Sequence, residues 1–411
     1  MLNSPLYVKR TLSDGKKLNV GTLAENSSGC YFQYDTEYLS QHSNLSPFTL
    51  EFNDELQKAP RQPHYGVHGV FGDSLPDGWG LYLMDRVFRK NGIPPGAVSV
   101  LERLAYVGDR CSGSLSFEPH SHENEHNPKS TIIELGKEAI KEFEGDESQM
   151  ITQLATGAGS GGARPKLNIT INNNLITTDI NAPGEKWLVK FTSEKFDLGH
   201  NESLVEAAYM EMAKDAQIDV PEFKLINVGD GTHWLRQKRF DCTELGKMHM
   251  HSACGLLDAS FREPSLDYVD LIKVANILCG TAAAKAVLDR ALFNFLTVNQ
   301  DDHTKNWAFL CGDDGKWQLS PFYDIVYSPS PYKHHMMSFN GEGNTISAKT
   351  LNILAKHAGY KSSKDIQQRL ETLYEITAQF NRYAKNYDIP ISITKEISSA
   401  INDKYKLLAH P

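Results

Sequence analysis

The stretch NQDDHTKNW (299–307) places two adjacent aspartates and an asparagine directly behind a long apolar run. Phosphoryl transfer by protein kinases uses an aspartate, which orients the attacking hydroxyl and accepts its proton, and an asparagine, which holds a metal ion. In the kinase catalytic loop the asparagine is the fifth residue after the aspartate. Asp301 and Asn306 have this separation, whereas Asp302 is one residue too close to Asn306. The spacing therefore favours Asp301 as the base and makes Asp302 a flanking residue.

A second metal-binding aspartate should follow this loop, after a turn and a short strand. The segment GDDGKWQLSPFYDIVYSP (312–329) has this order, and it ends with Asp324 in Tyr-Asp-Ile, where a kinase has Asp-Phe-Gly. Taken singly, each of these acids is typical of a solvated loop. It is their order, together with a glycine-rich segment and a strand lysine earlier in the chain, that indicates phosphoryl transfer.

The glycine-rich segment is TGAGSGGARPK (156–166), in which Gly157, Gly159 and Gly162 match G-x-G-x-x-G. A dinucleotide-binding loop must lead from a strand into a helix, but here Pro165 and the alternating run KLNITI follow. A Walker A loop needs Gly-Lys-Ser/Thr at its end, which is absent. A flexible linker stays open as an alternative. The functional interpretation is a hairpin loop whose backbone N–H groups cover nucleotide phosphates, with glycines allowing close approach.

Lys190 lies in the run EKWLVKFTS, whose apolar residues alternate in the pattern of a strand. In a kinase, a strand lysine after the glycine-rich loop contacts the α- and β-phosphates and pairs with a helix glutamate. Glu206, in a helix predicted over 202–216, is the matching glutamate. Two alternatives stay open. Lys190 at a strand edge can extend to water, and Glu206 can complete a capping box with Ser203.

The remaining patterns predict an α+β protein with strands first and helices second. Residues 1–117 combine the strand-like runs KLNVGTL and PFTLEF with one helix over GWGLYLMDRVFRKNGI. Hairpins are predicted in KLNITI–LITTDI and around the Gly-Asp-Gly turn of EFKLINVGDGTHWLRQKRF. Further predicted helices cover 131–144 and AAAKAVLDRALFNFLTV (282–298), and helical patterns dominate from about residue 245 onward.

Composition excludes several classes of protein. The 411 residues are 40% hydrophobic and 23% charged, which is typical of globular chains of two or three packed units. No apolar run approaches the roughly 20 residues of a membrane helix, and the first residues lack the apolar region of a signal peptide. Six cysteines without a CxxC pair indicate reduced thiols. The expected location is the cytoplasm. The net charge of −9 does not indicate DNA binding by this chain alone.

The polar segment EPHSHENEHNPKS (118–130) is predicted to be a linker. Its histidines, His120, His122 and His126, are candidate metal ligands in principle. A solvated loop is the favoured interpretation, because no carboxylate or cysteine lies at a fixed helical spacing from them.

Together these motifs resemble the HipA family of bacterial serine/threonine kinases, the toxin halves of toxin–antitoxin pairs. FGDSLPDGWG and LERLAYVGDRCSGSLSFEP resemble the family's N-terminal subdomain. They are followed in family order by SGGARPK, WLVKF, EAAYMEMAKDAQIDVPEFKL, RQKRFD, NQDDHTKNW and SPFYDIV. The resemblance implies a bilobal protein-kinase-like fold. Its parts would be a HipA N-terminal subdomain (1–117), a kinase N-lobe (118–242) and a helical C-lobe (243–411).

The resemblance also implies roles for individual residues. Asp301 would be the catalytic base and Lys190 a catalytic phosphate contact, while Asn306 and Asp324 would hold Mg²⁺. The hinge RQKRFD would bind adenine through the backbone of Lys238 and Phe240, with Asp241 near the ribose. The other residues implied to contact or support ATP are Gly157, Gly159, Ser160, Gly161, Gly162, Ala163, Lys166, Glu206, His303 and Lys305.

The sequence departs from the best-known family members in two places. Asp302 stands where a glycine is familiar, and it would either add charge to the metal site or point outward. The serine of the glycine-rich loop is shifted. In family members a serine of this loop is autophosphorylated, which ejects the loop and inactivates the kinase, and Ser160 is the candidate here, with Thr156 as the alternative.

The leading hypothesis is therefore an ATP- and Mg²⁺-dependent protein kinase that phosphorylates itself and a translation component, such as an aminoacyl-tRNA synthetase. Its implied partner is a small helix-turn-helix antitoxin, HipB-like, which would bind DNA and carry the kinase with it; no membrane partner is expected. One alternative is a kinase of a small molecule or phosphoinositide headgroup. Another is a non-catalytic ATP-binding regulator, against which the intact set of catalytic residues argues.

Overall fold

In a computed structural model of the chain, residues 5–121, 130–173 and 175–409 are described. The helices are α1 (Thr36–Gln41), α2 (Gly69–Gly72), α3 (Gly78–Lys90), α4 (Val100–Val107), α5 (Ile132–Glu144), α6 (Ile151–Gly157), α7 (Glu202–Asp215), α8 (Ala253–Leu256), α9 (Tyr268–Cys279), α10 (Thr281–Thr297), α11 (Ala348–Ala358), α12 (Ser363–Thr377), α13 (Phe380–Asn386) and α14 (Ile391–Ala409).

The strands are β1 (Leu6–Thr11), β2 (Lys17–Asn26), β3 (Gly29–Tyr34), β4 (Gln57–Lys58), β5 (Leu115–Glu118), β6 (Lys166–Asn172), β7 (Leu175–Thr177), β8 (Glu185–Lys190), β9 (Phe223–Gly229), β10 (Thr232–Lys238), β11 (His249–Ser252), β12 (Ala308–Cys311) and β13 (Trp317–Leu319). The chain divides into two compact units. The first comprises Met1–Lys195, Arg236–Asp258 and Phe309–Lys316, and the second comprises Phe196–Leu235, Ala259–Ala308 and Trp317–Pro411.

The first unit begins with an antiparallel sheet of order β4-β3-β2-β1-β5. Alternate residues of its strands are fully buried, as expected for strands with one face in a core; Leu6, Val8 and Leu23 have no exposed surface. Helix α4 packs against β2 and β5. This sheet and its helices build the part of the unit that carries the FGDSLPDGWG motif.

A second sheet of the first unit carries the predicted nucleotide-binding residues. Strands β7, β6 and β8 pair antiparallel, and the β6–β7 pair is the predicted hairpin. On one face of β6 and β8, Leu167, Ile169, Trp187 and Val189 are buried. Helix α6 packs against β6 and α3. The polar face of the same strands is therefore the one left to bind other groups.

The second unit is built mainly of helices around α10. This helix contacts α9, α11, α12 and α14, and almost all of its residues after Val287 are buried. A helix that is apolar on most of its circumference is expected inside a helical core. Tyr209 of α7 donates a hydrogen bond from its hydroxyl to the Thr297 carbonyl, 2.7 Å away. The end of α10, from which the predicted catalytic loop (299–307) starts, is thus fixed by its neighbours.

The structure confirms most predicted elements and corrects three. PFTLEF (47–52) is not a strand, because its backbone N–H groups turn back onto Ser46 and the Ser46 and Thr49 hydroxyls bond to each other. The first 117 residues contain more than one helix; α4 was missed, although Ser99 and Glu102 form a capping box at its start. The glycine-rich segment is not a hairpin loop, as it follows helix α6. Of the predicted 118–130 linker, residues 122–129 lie outside the described residues.

Candidate active site

In the first unit the glycine-rich segment runs from α6 into β6 and is docked on the start of α3. The N–H of Gly162 donates to the Asp77 carboxylate, and the Gly162 carbonyl accepts from Trp79 N–H at 3.0 Å. Lys166, which is 5% exposed, donates from Nζ to the Gly161 carbonyl at 2.8 Å. Hydrogen bonds to residues of its own unit thus hold the segment in place.

Close packing explains two of the glycines. A Cβ atom on Gly159 would lie 1.9 Å from the backbone oxygen of Arg110. A Cβ on Gly162 would lie 2.3 Å from Lys166 Nζ, and the φ angle of Gly162 is +102°, which L-residues rarely adopt. The sequence-based reason for these glycines was the approach of a phosphate. The structure supplies a different one, the packing of the segment against neighbouring backbone and side chain.

The polar face of β6 and β8 concentrates positive charge beside this segment. Lys166 and Lys190 lie directly opposite each other in the strand register, and Thr170 opposes Lys186 on the same face. Two ammonium groups in opposed positions on one strand pair are suited to bind an anionic group. Nδ2 of Asn168, two residues from Lys166, is buried without a hydrogen-bond partner among the described residues. These groups match the chemistry of phosphate binding.

The predicted hinge lies after β10. Arg239 N–H donates to the Lys186 carbonyl at 2.9 Å, so the backbone groups of Lys238, the last residue of β10, point away from β8. Phe240 lies in a turn. The Lys238 ammonium lies 2.7 Å from a Glu185 carboxylate oxygen. The Asp241 carboxylate is only 3% exposed and binds Arg239, at 2.5 Å, and Gly113 N–H, at 2.6 Å.

The Asp241–Arg239 pair is electrostatically tight. Arg239 and the Gly113 N–H hold the pKa of Asp241 below its usual range, although burial alone would raise it. Met248 N–H also donates to the Asp241 carbonyl, at 2.9 Å. Asp241 therefore anchors the hinge to the chain around Gly113, and a contact with the ribose stays a prediction.

In the second unit the predicted catalytic loop (299–307) presents Asp301 to solvent. Its side chain is 61% exposed. The Asn306 side chain donates from Nδ2 to the Asp301 carbonyl at 2.7 Å, and Asn306 N–H donates to the His303 carbonyl at 2.9 Å. Since the amide nitrogen is used in this way, the amide oxygen of Asn306 is the atom available for a metal ion. The structure therefore brings together the two residues that the five-residue spacing singled out.

His303 and Lys305 line one side of this loop. The His303 ring packs edge-on against Phe261, with centroids 5.9 Å apart, and its Nε2 lies 4.0 Å from the Asp301 carboxylate. The Lys305 ammonium lies 4.4 Å from the centroid of the Phe261 ring, a cation–π distance. The Lys305 carbonyl accepts from the Tyr323 hydroxyl at 2.7 Å. Both residues thus contact neighbours of the loop within their own unit, and their predicted support of the nucleotide site stays a prediction.

Asp324 lies beside the same loop in an unusual backbone conformation. Its φ angle is +58°, and that of Val298, the last residue before the loop, is +55°. Non-glycine residues in this region cost free energy and cluster at functional sites, and a β-branched valine is especially uncommon there. Ser328 and Asn299 form a bridge between the two segments, and Asn299 Nδ2 donates to the Asp324 carbonyl at 3.5 Å.

These second-unit residues have the donors that Mg²⁺ requires. Mg²⁺ is bound by hard oxygen atoms, usually one or two carboxylates together with water and substrate phosphates. The Asp324 carboxylate and the Asn306 amide oxygen satisfy this. Within residues 5–121, 130–173 and 175–409, no cluster of three or more His, Cys, Asp or Glu side chains forms an all-protein metal site. His120 is half-buried, so the prediction of a solvated loop is not met at this residue, and His122 and His126 lie outside the described residues.

Asp302 was expected to add charge to the metal site or to point outward, and it does neither. Its side chain is fully buried, because Tyr268, His335 and the Met336 N–H bind it from inside the unit. The alternative role of Glu206 is also wrong. Helix α7 already begins at Glu202, so Ser203 is a helical residue and cannot be the N-cap. Glu206 is 3% exposed, and its pairing with Lys190 stays a prediction.

The two candidate autophosphorylation sites differ in their surroundings. The Ser160 hydroxyl oxygen is buried without a hydrogen-bond partner among the described residues. The Thr156 hydroxyl donates to the Thr152 carbonyl at 3.0 Å and accepts from Arg110 at 3.4 Å. Ala163 and Gly161 are exposed. In this conformation the loop would have to move before either hydroxyl is phosphorylated.

Sequence reasoning missed two residues that shape the site, Asp77 and Asn168. Asp77 lies in FGDSLPDGWG, 85 positions before its partner Gly162, and no local pattern connects them. Asn168 lies two positions after Lys166 in the KLNITI run. Because side chains two positions apart in a strand point to the same face, this spacing was the available signal for placing both on one strand face.

Comparisons with known proteins match both halves of the chain. A family model described as the HipA-like C-terminal domain matches residues 158–382, which is more than half of the chain, and one described as the HipA N-terminal domain matches residues 15–118. The chain belongs to the HipA family.

Curated relatives named as kinases are similar over part of their length. Y4dM of Sinorhizobium fredii is 26% identical over 283 residues, which are 65% of this chain and 63% of that protein. The serine/threonine-protein kinase toxin HipA of Shewanella oneidensis is 24% identical over 279 residues, 61% of each chain. The chain thus spans about three fifths of the length of these relatives.

One solved structure is similar over nearly the whole chain. The complex of HipA, HipB and operator DNA from the Shewanella oneidensis MR-1 toxin–antitoxin system contains a chain with a TM-score of 0.72 and 19% identity, covering 98% of this chain and 97% of that one. This likeness confirms the α+β, protein-kinase-like fold of HipA. The described residues contain no helix that is long and apolar enough to cross a membrane. The three domain boundaries and the roles of single residues stay predictions.

Proposed function

We propose that this HipA-family chain is a Mg²⁺-ATP-dependent serine/threonine protein kinase. The observation that carries the proposal is the catalytic loop. Asp301 is exposed, Asn306 is bonded to its backbone, and the Asp324 segment is joined to the same loop. An exposed carboxylate beside two oxygen donors for a metal ion is the arrangement that phosphoryl transfer requires.

The first unit supplies the groups proposed for the nucleotide. The opposed Lys166 and Lys190 ammonium groups and the N–H donors of the glycine-rich segment would neutralise and orient phosphates. In this structure the Gly162 N–H donates to the Asp77 carboxylate, and the Lys166 ammonium donates to the Gly161 carbonyl. Binding of a triphosphate would therefore exchange these internal hydrogen bonds for bonds to phosphate oxygens.

In the proposed reaction the Asp301 carboxylate orients a serine or threonine hydroxyl and accepts its proton as the oxygen attacks the γ-phosphorus. The bond between that phosphorus and the bridging oxygen breaks, and ADP leaves. Asn306 and Asp324 would hold Mg²⁺, which when bound would neutralise charge at the phosphates. Lys190 stabilises the charge that remains on the leaving diphosphate.

The proposed partners follow from the relatives. The similar structure from Shewanella oneidensis contains HipA, HipB and operator DNA, which supports a small helix-turn-helix antitoxin as the partner of this chain. With a net charge of −9, this chain would meet DNA through that antitoxin. The protein substrate is proposed to be a translation component such as an aminoacyl-tRNA synthetase, and autophosphorylation is proposed at Ser160 or Thr156.

The test is phosphate transfer from labelled ATP in the presence of Mg²⁺, with mass spectrometry to locate the label. Wild type is compared with Asp301→Asn and with Asp270→Asn, whose carboxylate is similarly exposed, at 57%, on α9. Label should be lost in Asp301→Asn and kept in Asp270→Asn, and Ser160→Ala and Thr156→Val separate the two acceptor sites.

Two other results would each favour a different function. Wild type that binds ATP but labels neither itself nor any protein of a lysate would contradict the protein-kinase proposal. Transfer to a small hydroxyl compound would then indicate a small-molecule or phosphoinositide kinase, and binding without any turnover would indicate a regulator.

A further inference from the structure

The carboxylate of Asp302 is a buried junction between the catalytic loop and the chain that follows Asp324. It accepts hydrogen bonds from the Tyr268 hydroxyl, from Nδ1 of His335 at 2.9 Å and from Met336 N–H at 2.8 Å. Because a carboxylate oxygen only accepts, Nδ1 of His335 carries the proton. Tyr268 and His335 are themselves buried, at 0% and 3% exposure. Water therefore does not replace these bonds when one of them is lost.

The chain that follows Asp324 is hydrogen-bonded to the rest of its unit at several points between residues 328 and 341. We call these residues the 328–341 segment. Gln300, next to Asp301, binds it three times, through its N–H to the Ser328 carbonyl at 3.1 Å and through its side chain to Ser330 N–H and the Lys333 carbonyl, both at 2.8 Å. At the other end the Asp267 carboxylate, which caps α9, accepts from Ser338, Asn340 and Gly341. Asp302 is the central attachment point.

Asp301 and Asp302 are adjacent, but their side chains are 61% and 0% exposed. The two carboxylates therefore leave the chain on opposite sides, and burial of one directs the other to solvent. We propose that Asp302 is a positioning residue, which binds the catalytic loop to the 328–341 segment and so holds Asp301 in the orientation for proton acceptance. The proposal rests on the kinase function proposed above.

The arrangement has a regulatory consequence. In many kinases the segment after the metal-binding aspartate becomes ordered only when phosphorylation supplies a new anionic partner. Here the Asp302 carboxylate already accepts hydrogen bonds from a tyrosine hydroxyl, an imidazole and a backbone N–H of the 328–341 segment or its neighbours. The active protein therefore needs no phosphate on the 328–341 segment, which mass spectrometry of the active enzyme checks directly.

The main experiment compares two tyrosine variants of the full chain. Tyr268→Phe removes the hydroxyl that binds Asp302. Tyr360→Phe is the matched control, since its hydroxyl binds another carboxylate of the same unit, Asp289, at 2.9 Å, and Tyr360 lies outside both 299–307 and 328–341. For each variant, kcat, KM for ATP, the unfolding midpoint and amide hydrogen exchange in 299–307 and 328–341 are measured.

We expect Tyr268→Phe to lower kcat by roughly tenfold. The KM for ATP should change by less than about twofold in either direction, because misplaced catalytic groups affect the transition state more than ground-state binding. Exchange should accelerate in 299–307 and 328–341 alone. Tyr360→Phe should leave kcat and the exchange of both stretches unchanged. Asp302→Asn should lower kcat further, and adding Tyr268→Phe to it should have little extra effect, since both act on one interaction.

The exchange data separate this proposal from the proposed function. If wild type transfers no phosphate, the kinase proposal fails, and accelerated exchange in Tyr268→Phe still supports the attachment by Asp302. Unchanged exchange in both stretches, or equal losses of kcat in the two tyrosine variants, would overturn the positioning role. Additive losses in the double variant would overturn it as well. A phosphate on the 328–341 segment that activity requires would overturn the regulatory consequence.

Discussion

Replacing Gly159 by alanine tests whether the glycine-rich segment is shaped by packing or by its ligand. The new Cβ would lie 1.9 Å from the Arg110 carbonyl oxygen, which is a backbone atom and cannot rotate away. Either the segment or the chain around Arg110 must shift. Overpacking of this kind costs about 1–3 kcal/mol, so we expect Gly159→Ala to lower the free energy of unfolding by this amount without any nucleotide present.

The matched control is Gly161→Ala. Its Cβ would lie 3.1 Å from a carboxylate oxygen of Asp77, a side-chain atom that can move, and the position is exposed. Alanine also restricts the unfolded chain, which is worth about 0.4–1 kcal/mol of stability where the backbone is compatible. The two effects nearly cancel, so we expect Gly161→Ala to change the free energy of unfolding by less than about 0.5 kcal/mol.

The assay is urea unfolding of the ligand-free protein, followed by ATP titration of the folded variants. Gly159→Ala should unfold at lower urea concentration and bind ATP more weakly, since the segment is displaced from the strand that carries Lys166. If Gly159→Ala unfolds at the same urea concentration as wild type and Gly161→Ala, the packing explanation is refuted. Equal losses of ATP affinity in both variants with unchanged stability would instead support the approach of phosphate as the reason for the glycines.

Three further predictions concern titration and a partly buried carboxylate. Burial lowers the pKa of His68 from 6.5 to about 4, so the unfolded chain binds this proton more readily; stability should fall by on the order of 3 kcal/mol as pH drops from 6.5 to 4, and urea unfolding of His68→Phe should lack that loss. Burial lowers the pKa of Lys404 from 10.5 to about 8. The free energy of unfolding should therefore rise between pH 8 and pH 10.5, by about 1 kcal/mol after solvent screening. A Lys404→Met variant that keeps this rise would contradict the prediction. Asp73 accepts hydrogen bonds from His251 and from the hydroxyl and N–H of Ser252. Asp73→Ala should therefore lower the free energy of unfolding by about 3 kcal/mol or more, measured by denaturant unfolding, and Asp73→Asn should lower it by less.

Local patterns were sufficient for elements whose signal lies within a few residues. The alternation in KLNITI and EKWLVK identified β6 and β8 and put Lys166 and Lys190 on strands, because side chains of a strand point alternately to its two faces. The apolar run before residue 299 identified α10 for a similar reason. The five-residue spacing selected Asp301 and Asn306, and the structure bonds these two residues to each other. The HipA family and its fold followed from the order of these motifs.

Other features depend on contacts between distant parts of the chain, which no local pattern encodes. Whether Asp302 faces solvent or the interior is decided by His335 and Met336, more than 30 positions later. The glycine-rich segment owes its shape to Asp77 and Arg110, which the sequence places in another subdomain, and Asp241 is held by the N–H of Gly113, 128 positions away.

The physical reason for this division is that spacing fixes which residue types are neighbours along the chain, whereas burial and hydrogen-bond partners are fixed only when the chain closes on itself. For the sequence, Asp301 and Asp302 are two equal acids at slightly different distances from an asparagine. Tertiary packing makes them different, since it surrounds one with buried donors and leaves the other in solvent.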